Sequence, residues 1–292
     1  MDIERVKKEN LEKVEITIYS DPNLFFNPPS SLVTLEFLDG TLNSINKNIR
    51  KVVTILKLFK IGGVVPNSYR IKKPILYEGP LHKINHFSTI NSISALKLYL
   101  EDIKHLKKFW IEIFDKIPEN FYNPLITEWY PVTIAYRCYN KSIFTSPSVE
   151  SVANIIMGLE SVYLESESEL KYKLGLRVAK IFGLIGNDSI QTRNLIQIAY
   201  DIRSVYVHGS NSDKLIKKLY NDYEMGLNEF IIFLLDCLRI SIIIMIHSNI
   251  LSPKQKKSFL DLIDESMIDV NKFNKLGQDI RAVREILRKE SD

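Results

Sequence analysis

In the run Tyr200-Asp201-Ile202-Arg203-Ser204-Val205-Tyr206-Val207-His208-Gly209, an arginine and a histidine stand five residues apart, at the end of an apolar helical pattern that a glycine stops. The two side chains supply what cleavage of an RNA phosphodiester needs, a permanent cation and a group that titrates near neutral pH. Five helical residues turn by about 140° and rise by about 7.5 Å, so Arg203 and His208 do not share a face. A single copy of the pair makes a poor site; two copies about a dyad make a better one. Gly209 suits the C′ position, where a left-handed residue ends a helix without a Cβ penalty. That puts His208 in the last turn, where the helix dipole favours its protonated form. It could then act as general acid to a leaving oxygen or as base to a ribose 2′-hydroxyl, with Arg203 stabilising the phosphate charge. Attack by the 2′-hydroxyl needs no metal or other cofactor, and would leave a 2′,3′-cyclic phosphate and a 5′-hydroxyl.

The same residues have a purely structural reading. Arg203 can anchor Glu160 or Asp201 in a buried ion pair, and His208 can simply cap carbonyls at the helix end. Ser204 either orients a phosphate or is a small residue at a helix contact. Tyr200 and Tyr206 are expected to pack rather than to stack on a base, and Trp110 and Trp129 to lie in the core. Glu160 is at most a supporting group behind the pair.

The elements that must position these residues divide the chain. Over 1–120 the pattern is mixed. Val14 to Tyr19 and Leu32 to Leu38 alternate as half-buried strands do, Asp39-Gly40 reads as a turn, and a helix covers about 42–60. A further strand or two is expected in 64–78, then a helix from Ile93 to Ile117 closed by Pro118. From about 122 the pattern is helical. Pro131 kinks or restarts a first helix that runs to about Ile143, and a second spans about 149–164. A third covers about 170–184, the motif helix about 189–208, and a long helix about 222–249, before two shorter helices beyond Pro253. The expected class is therefore α+β, with an N-terminal mixed α/β domain over 1–120, a helical domain over 121–250 and a C-terminal helical extension over 251–292.

Composition is that of a soluble globular protein, 45% hydrophobic and 25% charged. The N-terminus is charged and lacks the apolar region of a signal peptide. Cys138 and Cys237 fall on apolar helical patterns and are expected to be buried free thiols in a reducing compartment. His82 and His86 are four apart but lack a third ligand, so no metal is expected. The apolar run from Phe230 to Ile246 carries Asp236 and Arg239 and is short for a membrane span. A helix buried in a core or a dimer seam fits it better, and the expected location is the cytoplasm. Charge is uneven: residues 47–108 hold thirteen Lys and Arg against Glu78, Glu101 and Asp102, a net +10, whereas 121–250 is near neutral. Such an excess attracts a polyanion, with Lys104, Lys107 and Lys108 as candidate RNA contacts, or it is a solvated lysine-rich surface.

The string Y-D-I-R-S-x-x-x-H-G resembles the signature of the HEPN superfamily, in its Apea-like branch. Met157 to Leu164 and Glu169 to Gly183 resemble two further helices of that family, and Leu238-Arg239 falls where it often has an arginine after apolar residues. Gly158 departs from the pattern, standing where alanine is usual. The resemblance covers about 122–250; residues 1–120 match no such pattern. It implies a metal-independent endoribonuclease, often a toxin or antiviral effector, working as a homodimer with two motifs facing each other across a cleft. An antitoxin or regulatory partner fits that role. Other members of the family are catalytically silent and bind RNA, nucleotides or protein, which is the alternative expectation here. Arg203 and His208 are the catalytic candidates, with Ser204, Asp201 and Glu160 in support.

Overall fold

A computed structural model of the chain describes residues 14–20, 31–37, 42–62, 99, 102–123, 126, 130–165 and 168–287. Its elements are strands β1 (Val14–Ser20) and β2 (Ser31–Phe37), then ten helices: α1 (Leu42–Phe59), α2 (Asp102–Ile113), α3 (Pro131–Phe144), α4 (Val149–Tyr163), α5 (Leu170–Ile185), α6 (Ser189–Val207), α7 (Asp213–Tyr223), α8 (Leu227–His247), α9 (Pro253–Glu265) and α10 (Val270–Leu287). The expected strand in 64–78, the start of the helix expected from Ile93, the His82/His86 pair and Trp129 lie outside the described residues.

The α+β expectation is overturned: the packed body is about 80% helical, holds no strand or sheet, and is all-α. The two alternating segments do pair, antiparallel with Val14 opposite Phe37 and Ser20 opposite Ser31. A two-stranded ribbon is too narrow to found a layer, and α1 and α2 turn their apolar faces into the helical core instead. Val52, Ile55, Leu56 and Leu58 of α1 and Leu106, Phe109 and Ile113 of α2 are buried in one cluster with α3 to α10.

Local chemistry sets the helix ends. Pro131 stands at the first helical position of α3, where its missing N–H costs nothing, so it starts the helix rather than kinking one. Ser148 caps α4 through the Ser151 N–H at 3.4 Å, and Asp188 caps α6 through the Gln191 N–H at 2.9 Å. Ser252 and Gln255 form a reciprocal capping box on α9. The helix expected over about 222–249 runs from Leu227 to His247, and the helix α7 over Asp213–Tyr223 was not expected. Glu224, at φ 51°, and Gly226 break α7 from α8.

Helix α8 is the axis of the bundle. It packs against α3 and α4 and also meets α1, α2 and α10. Thirteen of its residues, from Phe230 to Ile246, are buried. By length and hydropathy α8 could cross a membrane, but 78% of its most apolar window is buried within this chain. The apolar surplus that suggested a dimer seam along this helix is thus taken up by intramolecular packing. Arg239 explains its own place in the apolar run. Asp236 accepts from its Nε at 2.8 Å and from its Nη2 at 2.6 Å, and Nη1 donates to the carbonyls of Leu58 and Phe59 at 2.8 and 2.9 Å. The guanidinium therefore caps the C-terminal end of α1, where carbonyls lack helical partners. Tyr139 donates to the carbonyl of Lys57 at 2.6 Å, and Tyr136 to Thr54 Oγ1 at 3.0 Å, fixing α1 on α3.

Gly158, which stands where the family pattern has alanine, has a packing role. A Cβ there would lie 2.7 Å from Leu238 Cδ2 and 3.0 Å from Cys138 Cβ, so glycine sets the close approach of α4 to α8 and α3. Alanine gains about 1 kcal/mol of helix propensity, but overpacking of this kind costs about 1–3 kcal/mol. Gly158→Ala is expected to lower stability by about 1 kcal/mol in urea unfolding; a more stable variant would show that the contact relaxes freely.

Lys57 is buried between α1 and α3. Its ammonium donates to Asn140 Oδ1 at 2.7 Å and lies 4.6 Å from the Phe144 ring centroid. Burial pulls its pKa from 10.5 down to about 8. Between those values the unfolded chain binds the extra proton, so this group's contribution to stability rises with pH across that window and is flat below it. The stability of the wild type relative to Lys57→Met should therefore climb by about 3 kcal/mol from pH 8 to 10.5 and stay level between pH 6 and 7. Urea unfolding at each pH measures this, and a difference independent of pH would contradict it.

Candidate functional site

Helix α6 carries the motif because its buried side, Leu195, Ile196, Ile198, Ala199 and Ile202, packs on α4 and α5. Arg203 and Ser204 follow half-buried, and Tyr206, Val207 and His208 are exposed. The helix ends at Val207, so His208 is the C-cap itself (φ −87°, ψ 6°), with its N–H donating to the Ser204 carbonyl at 3.1 Å. Gly209, at φ 67°, takes the left-handed position its type suggested. The Gly209 N–H reaches Tyr206 O at 3.0 Å and the Ser210 N–H reaches Val205 O at 2.9 Å, so backbone groups close the helix. The His208 imidazole makes no hydrogen bond or ion pair among the described residues, which leaves the carbonyl-capping role to the backbone.

Arg203 projects from the preceding turn toward α4. Its Nη2 lies 3.6 Å from Glu160 Oε2, with the side chains 28% and 18% exposed. Nε of Arg203 and Oε1 of Glu160 are buried without a hydrogen-bond partner. Burial raises the pKa of Glu160, and the pull of the Arg203 charge in the other direction is the smaller effect. The pair is loose and does not repay its desolvation.

Two other arginines in the region of resemblance are held quite differently. Arg239 is saturated as described above. Arg177 of α5 donates from Nη1 to the Tyr163 carbonyl at 2.5 Å and from Nε and Nη2 to the Asp264 carboxylate at 2.8 and 2.6 Å. It caps α4 and ties α9 to the bundle. Lys256 of α9 adds a bond to the Leu164 carbonyl at 2.5 Å. Sequence reading had given these cations no such role, since the carbonyls they satisfy come from elements distant in the chain.

The supporting residues divide. Glu160 stands beside Arg203. Asp201 does not: both its oxygens accept from Lys171 Nζ, at 2.7 and 2.6 Å, so it joins α6 to the start of α5. Ser204 lies between Arg203 and His208 on the helix end. Lys104, Lys107 and Lys108 sit on α2, whose neighbours are α1, α8 and α10, while α6 packs chiefly on α4, α5 and α7; the structure does not bring these lysines to the motif. Lys104 and Lys107 are exposed and Lys108 is half-buried. Trp110 is half-buried and stacks on Phe114 at 4.9 Å. Cys138 and Cys237 are buried free thiols. Among the described residues no three His, Cys, Asp or Glu side chains converge on a metal-sized site.

A groove that sequence reading missed opens one turn before Arg203, lined by Glu169, Leu170, Lys171, Tyr172, Gln197 and Tyr200. Its α6 wall was detectable in principle, because Gln197, Tyr200, Asp201 and Ser204 recur at spacings of three and four and so share a face.

Comparison with known protein families, with characterised proteins and with solved structures gives no match.

Because burial already disfavours the Glu160 carboxylate, Glu160→Gln is expected to change stability by less than about 1 kcal/mol. Urea unfolding checks this; a loss above about 3 kcal/mol would identify the Arg203–Glu160 pair as a structural anchor.

Proposed function

We propose that the chain is a metal-independent endoribonuclease of HEPN type, with Arg203 and His208 as its catalytic pair. The observation that carries this reading is a contrast among the cations. Arg177 and Arg239 spend their donors on carbonyls and carboxylates at 2.5–2.9 Å. Arg203 keeps a 3.6 Å ion pair and a ring contact with Tyr200, and His208 keeps an exposed imidazole with no partner among the described residues. Side chains buried for the fold alone are expected to be saturated; the Arg203 Nε is buried without a partner, as are those of Arg193 and Arg284, and the exposed His208 imidazole is open to a ligand. The resemblance of the surrounding string to Apea-like HEPN proteins points the same way.

In the reaction, the imidazole takes the proton of a ribose 2′-hydroxyl, and the freed oxygen attacks the adjacent phosphorus. The bond to the 5′-oxygen of the next nucleotide breaks, and that oxygen leaves with a proton from an imidazolium. No water is consumed, and the products are a 2′,3′-cyclic phosphate and a 5′-hydroxyl. Arg203 meets the charge on the phosphate oxygens through two parallel N–H bonds. Base and acid are best supplied by two copies of the motif. With α8 taken up inside each chain, a pair of copies would meet at the α6–α7 end, where Tyr206, Val207 and Tyr220 are exposed. A toxin or antiviral role, with an antitoxin or regulatory partner, belongs to this reading.

The alternative is a silent HEPN module that binds RNA or protein. One experiment separates the two. Labelled RNA incubated with the purified protein in EDTA should be cleaved to fragments ending in cyclic phosphate. His208→Ala should lower the rate by at least about a hundredfold, with the fold intact because an exposed helix-cap residue has few contacts to lose. Arg203→Lys should lower it by at least about tenfold, because an ammonium lacks the paired donors. Equal decay with wild type and His208→Ala would leave the binding module standing.

A further inference from the structure

The groove between the start of α5 and the middle of α6 is assigned no part in the chemistry above, yet its walls are made of groups that hold a nucleobase. Tyr172, on the first turn of α5, is 52% exposed. Its position is supported on one side, where Arg193 of α6 brings its guanidinium carbon to 5.6 Å from the ring centroid. Such a contact holds the ring in place at little cost. Opposite, Tyr200 is half-buried and packed against the core, so it forms a fixed floor. Gln197 stands one turn earlier on α6, and its amide has no hydrogen-bond partner among the described residues. An amide offers one acceptor and two donors, which suits the edge of a base. Lys171, at the rim, is already neutralised by Asp201 at 2.6 Å, so the groove is not a simple anion site.

Position strengthens the case. Tyr200 precedes Arg203 by three residues, about one helical turn or 4.5 Å along the axis, and the Arg203 guanidinium lies 5.9 Å from the Tyr200 ring centroid. A base in the groove would place its own backbone beside the guanidinium that grips the phosphate.

We propose that this groove is a nucleobase subsite for single-stranded RNA, in which Tyr172 is the stacking platform and Gln197 reads the base edge. It rests on the ribonuclease reading for its substrate class, but not on turnover, because a base can be held whether or not the adjacent phosphate is cut. Aromatic stacking gives the subsite tolerance for any base, and the amide superimposes a preference.

The test uses the full chain and a fluorescein-labelled 2′-O-methyl RNA decamer, which lacks the attacking hydroxyl and cannot be cleaved. Binding is read by anisotropy in EDTA at fixed salt. Tyr172→Ala is expected to weaken affinity by about tenfold or more, and Tyr172→Phe to retain it, as loss of one stacked base requires. Gln197→Ala should narrow the spread of affinities among homopolymeric decamers of the four bases. Circular dichroism confirms that each variant is folded, which the exposure of Tyr172 favours. Equal affinity of Tyr172→Ala and wild type overturns the subsite, even if cleavage of ordinary RNA depends on His208. Failure of the wild type to bind the decamer overturns it too. If Tyr172→Ala weakens binding while His208→Ala leaves RNA decay unchanged, the subsite stands and the catalytic reading falls.

Discussion

Arg239 sits in the middle of the most apolar helix of the chain, and the bundle depends on where its guanidinium goes. A charge at that depth costs several kcal/mol unless it is paired and hydrogen-bonded. Here Asp236, one turn earlier on the same helix, supplies the counter-charge, and the ends of the Leu58 and Phe59 carbonyls supply the acceptors. The arrangement satisfies two problems at once: the orphan carbonyls of α1 and the buried cation of α8. With that junction made, Phe230 to Ile246 can be buried on nearly every side, at about 1.5–3 kcal/mol for each large apolar side chain. The same device recurs at the C-terminal end of α4, where Arg177 and Lys256 close the carbonyls and draw α9 onto it.

These junctions determine what is left over for function. Because Arg177 and the C-terminal helices tie down α4 and α5, α6 rests on a braced pair of helices, and toward its C-terminal end only Tyr206 and Val207 are exposed. At that end the Arg203 Nε and the His208 imidazole have no hydrogen-bond partner among the described residues. Arg203 leans on Glu160 without being saturated by it, and a carboxylate that burial already pushes toward its neutral form is a weak competitor for the guanidinium. An incoming phosphate, carrying a full charge and several acceptor oxygens, is the stronger partner. In the proposed reaction Glu160 would be a resting partner that the phosphate displaces from the arginine.

Much of the helical order could be read from periodicity and punctuation. Pro131, Ser148, Asp188, Gly209 and Pro253 each mark a boundary for a local reason, and local reasons survive without tertiary knowledge. Helix α7 and its junction with α8 were not legible in this way. Met225 to Leu227 carries apolar residues on both sides of Gly226, so the pattern ran through the break. The fold class failed for a different cause: alternation in Val14 to Tyr19 and Leu32 to Leu38 indicates pairing, but the number of strands available to join them decides whether a domain follows, and that number is not written in either segment. The apolar excess of α8 was visible too. Whether it faces a second copy or its own chain depends on helices α1, α2 and α10, which lie far away in sequence.

The groove beside Arg203 illustrates the same limit for sites. Gln197, Tyr200 and Ser204 share a face of α6, a relation that spacing alone reveals, but Tyr172 comes from another helix and is brought opposite them by packing. The packing of α5 on α6 sets the distance between these two walls, and the Lys171–Asp201 bond joins them at the rim, between Tyr200 and Arg203. Asp201, expected in support of the catalytic pair, is bonded to Lys171. With Asp201 on Lys171, the carboxylate that pairs with Arg203 is that of Glu160. A carboxylate spent on Lys171 is also a carboxylate that does not compete with a phosphate for Arg203, so the ion pair that shapes the groove also preserves the cation beside it.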